Sequence, residues 1–396
     1  MLATRALGSA AAAPVSVLWT YWSFAAASLT FPLQHWIAQS VAAHRSEGRV
    51  HDAMPRVAAA VVVAAIASGV LAWFGREPLF HRGDAWFPLL VAWVTLGSGL
   101  IGVVRGGLSA RRRFMDVAWA LVAENALRCL AATALILAGS NAPLGFGICL
   151  AVGSLIAVFW PSSLRFSADE RDVGAESPLA FLGAAAGGQL IGQAILTGGP
   201  VLLALSGGSA EAVTVLFAVL ALFRAPYTLG LGLVSQLTGR LTTLVVEGEK
   251  VALHRVRVLM NVSTLVVVVV AGAIGALTGP VLLPLIFGTD VEIAWLPSTL
   301  VAIGSALAVA NLVRTVSIMA QSRSHAVARA WIVASLGGGL AFLAISDSPL
   351  ARVCWVFVAA ESVAFLALVL EELRGSAKLA SRATRTPGAA TSGGSL

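Results

Sequence analysis

Four ionisable side chains, Glu124, Arg128, Arg224 and Glu361, stand deep inside long apolar stretches of this 396-residue sequence. On insertion scales each costs about 2.5–3.5 kcal/mol at the centre of a bilayer, so each needs a partner or a task. Glu124 and Arg128 are spaced i,i+4 and share a helix face, where they can neutralise one another. The spacing reads either as a structural ion pair turned into the bundle, or as a switch in which a substrate phosphate competes for Arg128 and frees Glu124. Arg224 lies two residues before Pro226 with no carboxylate within a turn on its own helix. A guanidinium there offers fork geometry to phosphate oxygens; pairing with another helix and snorkelling to an interface are the alternatives. Glu361, central in the last apolar run, is either a protonated carboxyl bonded across helices or an ion-coupling site.

Uncharged polar residues form a second layer. Gln189 and Gln193 are also i,i+4, beside Gly183, Gly187, Gly188 and Gly192. The glycines suit close helix approach, and the glutamines and Asn311 suit sugar hydroxyls, although hydrogen bonding between helices explains each more simply. Pro32 and His35 sit within the first run, where the proline can kink or break the helix and a neighbouring helix can satisfy the histidine. Catalytic patterns fail: there is no His-Glu-x-x-His pair and no Walker loop, and the GSGL around Ser98 has no His partner. Cys129, Cys149 and Cys354 lie inside apolar runs without the spacing of a disulfide framework or zinc site. No enzyme, cofactor or metal is therefore expected.

The elements that must position these residues are membrane spans. The composition is 58% hydrophobic and 11% charged, against roughly 25% charged in a soluble domain, and the mean hydropathy is +0.89. Runs able to cross a core of about 30 Å need about 20 helical residues. Eleven are legible, at 13–43, 57–75, 86–104, 116–138, 143–163, 179–205, 212–239, 258–277, 293–313, 330–346 and 353–370. Continuous runs of this length favour helices over barrel strands. The fold class predicted is an all-α polytopic membrane protein of about 11 transmembrane helices in two pseudo-repeated bundles.

The basic residues fix an orientation. Arg45, Arg49 and Arg56, Arg105 and Arg111 to Arg113, Arg165 and Arg171, Arg240 to Arg257, Arg314 to Arg329 and the C-terminal tail fall in every second gap. Only Arg5, Arg76, Arg82 and Arg352 fall on the other side, which leaves Arg128 and Arg224 unexplained by topology. By the positive-inside rule the populated side is cytoplasmic, so the C-terminus is expected in the cytoplasm and the N-terminus outside. The pI near 10.3 then reflects topology, not nucleic acid. Trp73, Trp86 and Trp295 near outer helix ends suit an aromatic belt. The segment 278–292, with Pro280 and Pro284, is expected to lie broken along the outer surface, and the tail from Gly375 to be disordered.

A faint repeat spans about two hundred residues. Glu47-Gly48 answers Glu247-Gly248, and Gly97-Ser98-Gly99-Leu100 before Arg105 answers Gly304-Ser305-Ala306-Leu307 before Arg314. It divides the chain into an N-terminal lobe at 1–166, a linker at 167–178, a C-terminal lobe at 179–372 and the tail at 373–396. The N-terminal RALGS, the PLQHWIAQSVA ending the first run, the stretch VVRGGLSARRRFMDVAWALVAENALRCLAA and LFRAPYTLGLGLVSQLTGRL occur in an order that resembles the multidrug/oligosaccharidyl-lipid/polysaccharide (MOP) flippase superfamily, and within it the bacterial polysaccharide-biosynthesis and lipid II flippases. The likeness covers most of 1–372. It implies two six-helix lobes, with the first run standing where the family has its second helix, so that the N-terminal lobe is one helix short.

The resemblance implies a flippase that moves a lipid-linked oligosaccharide or polysaccharide precursor across the bacterial cytoplasmic membrane by alternating access. Arg224, Arg128, Glu124, Gln189, Gln193 and Asn311 become cavity candidates and Glu361 an ion-coupling candidate. The partners expected are the lipid-linked glycan, membrane lipids and glycan-synthesis enzymes. A multidrug or organic-cation antiporter of the same superfamily is one alternative; a non-transporting scaffold for glycan synthesis is the other.

Overall fold

The computed structural model describes residues 2–168, 190–229, 250–320 and 323–384, and among these every regular element is a helix. The longer ones are α1 (Ser9–Ala25), α2 (Phe31–His44), α3 (Gly48–Phe74), α4 (Trp86–Ala110), α5 (Phe114–Leu137), α6 (Pro143–Val152), α7 (Ala210–Phe223), α8 (Lys250–Phe287), α9 (Trp295–Ala320), α10 (Ser324–Ala344) and α11 (Pro349–Thr384). Seven described helices are long and apolar enough to cross a membrane: α3, α4, α5, Val258–Phe287 of α8, Trp295–Ile318 of α9, His325–Ala344 of α10 and Pro349–Arg374 of α11. Pro143–Phe159 and Ala210–Phe223 are shorter apolar helices. The chain is a polytopic all-helical membrane protein.

Prolines mark irregularities in two of the runs. The first is continuous helix from Ser9 to His44, but a π turn, Ala26–Thr30, joins α1 to α2. Pro32 lacks an N–H, and its ring would strike the Ser28 carbonyl at α spacing; the wider turn just before it absorbs the conflict, so the helix shifts register and does not end. His35, exposed, sets Nδ1 2.8 Å from the Phe31 carbonyl of its own helix, not against a neighbour. The helix in the run 212–239 stops at Phe223, Arg224 forms a turn, and a helical stretch resumes at 225–229 with Pro226 in its first turn.

One expectation is overturned. Residues 278–292 do not lie broken along a surface, because α8 continues through Pro280 and Pro284 to Phe287. The loop behind it, with Gly288 in the left-handed region at φ 124, turns Asp290 onto the start of α1, where the Ser9 amide donates to Asp290 Oδ2 at 2.6 Å. Gly8 (φ 80) admits that approach, since a Cβ would sit 3.1 Å from the carboxylate. An anion at a helix N-terminus satisfies an amide left without an intrahelical partner. At the other end α11 runs to Thr384, beyond the Gly375 where composition predicts a tail; 385–396 and the linker 169–178 lie outside the described residues.

The chain divides into two compact units. The first comprises Met1–Leu222, Ala276–Ser298 and Asp347–Cys354. Its central helix is α4, 61% buried over its apolar window, because the glycines of LGSGLIGVVRGG let other backbones close on it. A Cβ on Gly102 would meet the Thr30 backbone at 3.0 Å, and one on Gly107 would overlap the Ser163 carbonyl. The flanking α3 turns Val63 and Ile66 outward at 65% and 59% exposure, as a lipid-facing stripe requires. The second unit comprises Phe223–Gly275, Thr299–Ser346 and Trp355–Leu396. There Gly304 admits the Phe357 ring, and Gly337 and Gly338 admit Val363 and Ala360.

Candidate functional site

In the first unit α4 and α5 bring three charges together. Arg128 Nη2 donates to Glu124 Oε1 at 2.5 Å, the i,i+4 pair expected from spacing. Arg105 Nη2 donates to Glu124 Oε2, also at 2.5 Å. All three side chains are more than nine-tenths buried. One carboxylate therefore serves two guanidinium groups, and the cluster keeps one surplus positive charge. Arg128 Nε donates to the Leu150 carbonyl at 3.0 Å, and its guanidinium carbon lies 4.4 Å from the centroid of the Trp22 ring, a cation–π contact. Two buried nitrogens, Arg105 Nε and Arg128 Nη1, have no hydrogen-bond partner among the described residues.

Local sequence builds this cluster. α6 gives way to 3-10 winding at Gly153–Phe159, and where it does the Leu150 and Ala151 carbonyls accept bonds from Arg128 and from Trp93 Nε1 (3.2 Å). Gly153 stands against the arginine, and a Cβ there would overlap Nε.

The second unit carries two buried polar clusters. Asn311 Nδ2 donates to Glu361 Oε2 at 2.8 Å and to the Glu361 carbonyl at 2.9 Å, and both residues are fully buried. Glu361 Oε1 and Asn311 Oδ1 have no partner among the described residues. Tyr227 lies within electrostatic range of both Glu361 and Arg224. One turn along α9 from Asn311, Arg314 donates from Nη1 to Glu372 Oε2 at 2.6 Å and from Nη2 to Asn261 Oδ1, beneath the Phe365 ring at 4.4 Å. At the end of this unit Glu371 accepts from Arg323 at 3.0 Å, Arg329 at 3.1 Å and Arg374 at 3.4 Å.

The first unit has a matching clasp in its loops. Arg111 grips Glu47 with two nitrogens, at 2.8 and 3.1 Å, and donates to the Ser162 and Arg165 carbonyls at 2.7 and 2.6 Å. The Ser167 amide donates to Glu47 at 3.0 Å. The hydrogen bonds from Arg111 hold the Glu47 carboxyl below its ordinary value of 4.5.

No protein-family model and no curated protein matches this sequence. Solved structures do. A multidrug resistance MATE family transporter of the MOP superfamily, in its inward-facing conformation, aligns over 98% of this chain and 94% of its own with a TM-score of 0.69 at 13% identity. The lipid II flippase MurJ, inward closed, aligns over 91% of this chain and 85% of its own with a TM-score of 0.59 at 13% identity. A MATE transporter in the outward-facing conformation aligns over 94% and 89%, with a TM-score of 0.58 at 15% identity. The chain has the fold of the MOP superfamily.

Within this MOP fold the candidates fall into groups. Glu124 and Arg128 meet as the spacing foretold, and Asn311 and Glu361, named separately, share one cluster. Arg224 is half-buried and makes no ion pair to a described residue. Gln193 is half-buried and donates to Thr197 Oγ1 of its own helix at 3.2 Å; Gln189 lies outside the described residues. Arg128 and Arg224 are not the only basic residues that topology leaves unexplained. Arg105 and Arg314, read as loop charges, are 7% and 1% exposed within α4 and α9. The helices run on past both, α4 five residues beyond Arg105 and α9 six beyond Arg314, and no local signal in the sequence marks that.

Proposed function

We propose that this chain is a MOP-type membrane transporter that moves a lipid-linked oligosaccharide or polysaccharide precursor across the cytoplasmic membrane by alternating access. The fold supports the transporter class, having inward-facing and outward-facing MATE structures among its likenesses. The observation that carries the substrate reading is the surplus positive charge of Arg105, Glu124 and Arg128. A site for organic cations needs net carboxylate, whereas a phosphorylated head group is stabilised where buried arginines outnumber their acids. The second unit has a guanidinium of its own in Arg224, a separate candidate for a phosphate. The lipid tail stays in the bilayer while the head group crosses by alternating access. To Glu361, hydrogen-bonded to Asn311, we assign the response to an ion gradient or the membrane potential. The charge asymmetry orients the C-terminus and the basic loops towards the cytoplasm.

In cells that depend on this chain for surface-polysaccharide export, Arg224→Ala at normal protein abundance is expected to abolish export. Intact export would overturn the reading in favour of a scaffold. A second reading, an organic-cation antiporter, draws on the MATE likeness and on the unpartnered Glu361 oxygen; uptake of a small cation by reconstituted vesicles tests it.

A further inference from the structure

On α1 every residue from Ala12 to Thr20 is buried except Trp19, and on α7 every residue from Val213 to Leu220 is buried except Phe217. The two exceptions meet, with ring centroids 6.4 Å apart at 66°. Trp19 also meets Trp22, likewise half-buried, at 5.3 Å and 64°. Edge-to-face packing does not cover ring faces the way stacking does, so three large aromatic rings line a partly open patch beside these enclosed stretches of α1 and α7. The rings differ from the outward-facing side chains of the long apolar helices, aliphatic and aromatic alike, in being half-buried and not open. The patch is continuous with the charged cluster, because Trp22 carries the Arg128 guanidinium on its ring.

A core needs neither feature. An apolar core has no use for a second arginine on one carboxylate, nor for buried N–H groups left unpaired, each costing about 1–3 kcal/mol. Taken together, half-open indoles beside a buried guanidinium with an uncommitted nitrogen match the two chemistries of a charged sugar. The C–H faces of a pyranose pack on indole rings, and an adjacent anionic group takes the free arginine N–H donors. We infer that Trp19, Trp22 and Phe217 form a sugar-binding platform whose neighbouring Arg128 and Arg105 hold an anionic group attached to that sugar. The anionic group is either the diphosphate that links the first sugar to its lipid or the carboxylate of an acidic sugar. The inference rests on the flippase reading and adds which end of the substrate the first unit holds.

The test is equilibrium binding to the full chain in detergent, with three probes: a polyprenyl diphosphate bearing a neutral disaccharide, the same polyprenyl diphosphate without sugar, and a free disaccharide containing a uronate. The wild-type chain is expected to prefer a sugar-bearing probe, and Trp22→Ala to reduce that preference about tenfold, a loss of about 1.4 kcal/mol. Trp22→Phe keeps most of the packing and is expected to reduce it about threefold, within the range of ring-contact energies; it decides the matter if the alanine variant does not fold. Arg128→Lys, which keeps the charge and loses the fork, should weaken the disaccharide-diphosphate if the anion is the diphosphate, or the uronate probe if it is the acidic sugar. Folded Trp22 variants that retain the wild-type preference, or an Arg128→Lys chain that binds all probes as before, would overturn the platform while leaving the flippase reading standing. A wild-type chain that binds no probe would overturn both.

Discussion

Glu124 is the residue on which the first unit's electrostatics turn. It neutralises one of two arginines and hydrogen-bonds both, so its loss leaves two buried guanidinium groups without a counter-charge. Removing one partner from a buried ion pair costs about 3–5 kcal/mol, and Glu124→Gln is expected to fall in that range in the unfolding free energy of the detergent-solubilised chain. Arg105→Leu should cost less, because the Glu124–Arg128 pair survives and the surplus charge is gone; a larger loss for Arg105→Leu than for Glu124→Gln would contradict the shared-carboxylate account. The Glu124–Arg128 pair was legible because a spacing of four carries its own geometry. The Asn311–Glu361 bond was not, since it spans fifty residues of sequence and depends on which helices become neighbours. Arg105 was hidden by an ordinary rule: basic residues beside loops are the commonest topological marker, and nothing local separates one in the last turns of a helix from one just outside it.

At the scale of elements, the segment 161–167 is held by Arg111 and Glu47 through carbonyl and amide contacts. Because the Glu47 carboxyl is held below 4.5, the clasp contributes stability at pH values above that and loses it as pH falls through the lowered value. Hydrogen exchange at the Ser167 amide, corrected for its intrinsic pH dependence, is therefore expected to lose protection on acidification below about pH 4.5 and at neutral pH in Glu47→Gln. Unchanged protection in the variant would remove the clasp from the account. Packing offers a second check. Gly107 faces the Ser163 backbone, which has no rotamer to yield, so Gly107→Ala is expected to cost about 1–3 kcal/mol of stability. Gly139, with nothing near a built Cβ but φ 66, should show only backbone strain on the same substitution. The order of the runs was readable from hydropathy, but α4, α8, α9 and α11 extend past the bounds it gives, and Pro280 and Pro284 were misread as breaks. A proline lacks only one donor, and a long apolar helix in lipid tolerates that where neighbouring groups satisfy the freed carbonyl.

For the molecule as a whole, the MOP fold was legible from the order of loosely matching segments. The second part of α8 and the first residues of α11 belong to the first unit, a sharing that no hydropathy profile can register. The orientation drawn from the basic loops predicts that a cysteine placed at Arg112 reacts with a membrane-impermeant thiol reagent only from the cytoplasmic side, and one at Gly83 only from outside; the reverse pattern would invert the topology. The function proposed for this fold, with its buried site of surplus positive charge, is translocation of a lipid-linked sugar. It is tested most directly in vesicles reconstituted with the purified chain and loaded in one leaflet with a fluorescent polyprenyl-diphosphate oligosaccharide. The account predicts appearance of the sugar in the opposite leaflet at a rate lost in Arg224→Ala; transport of a small organic cation with no movement of the lipid-linked sugar would contradict it.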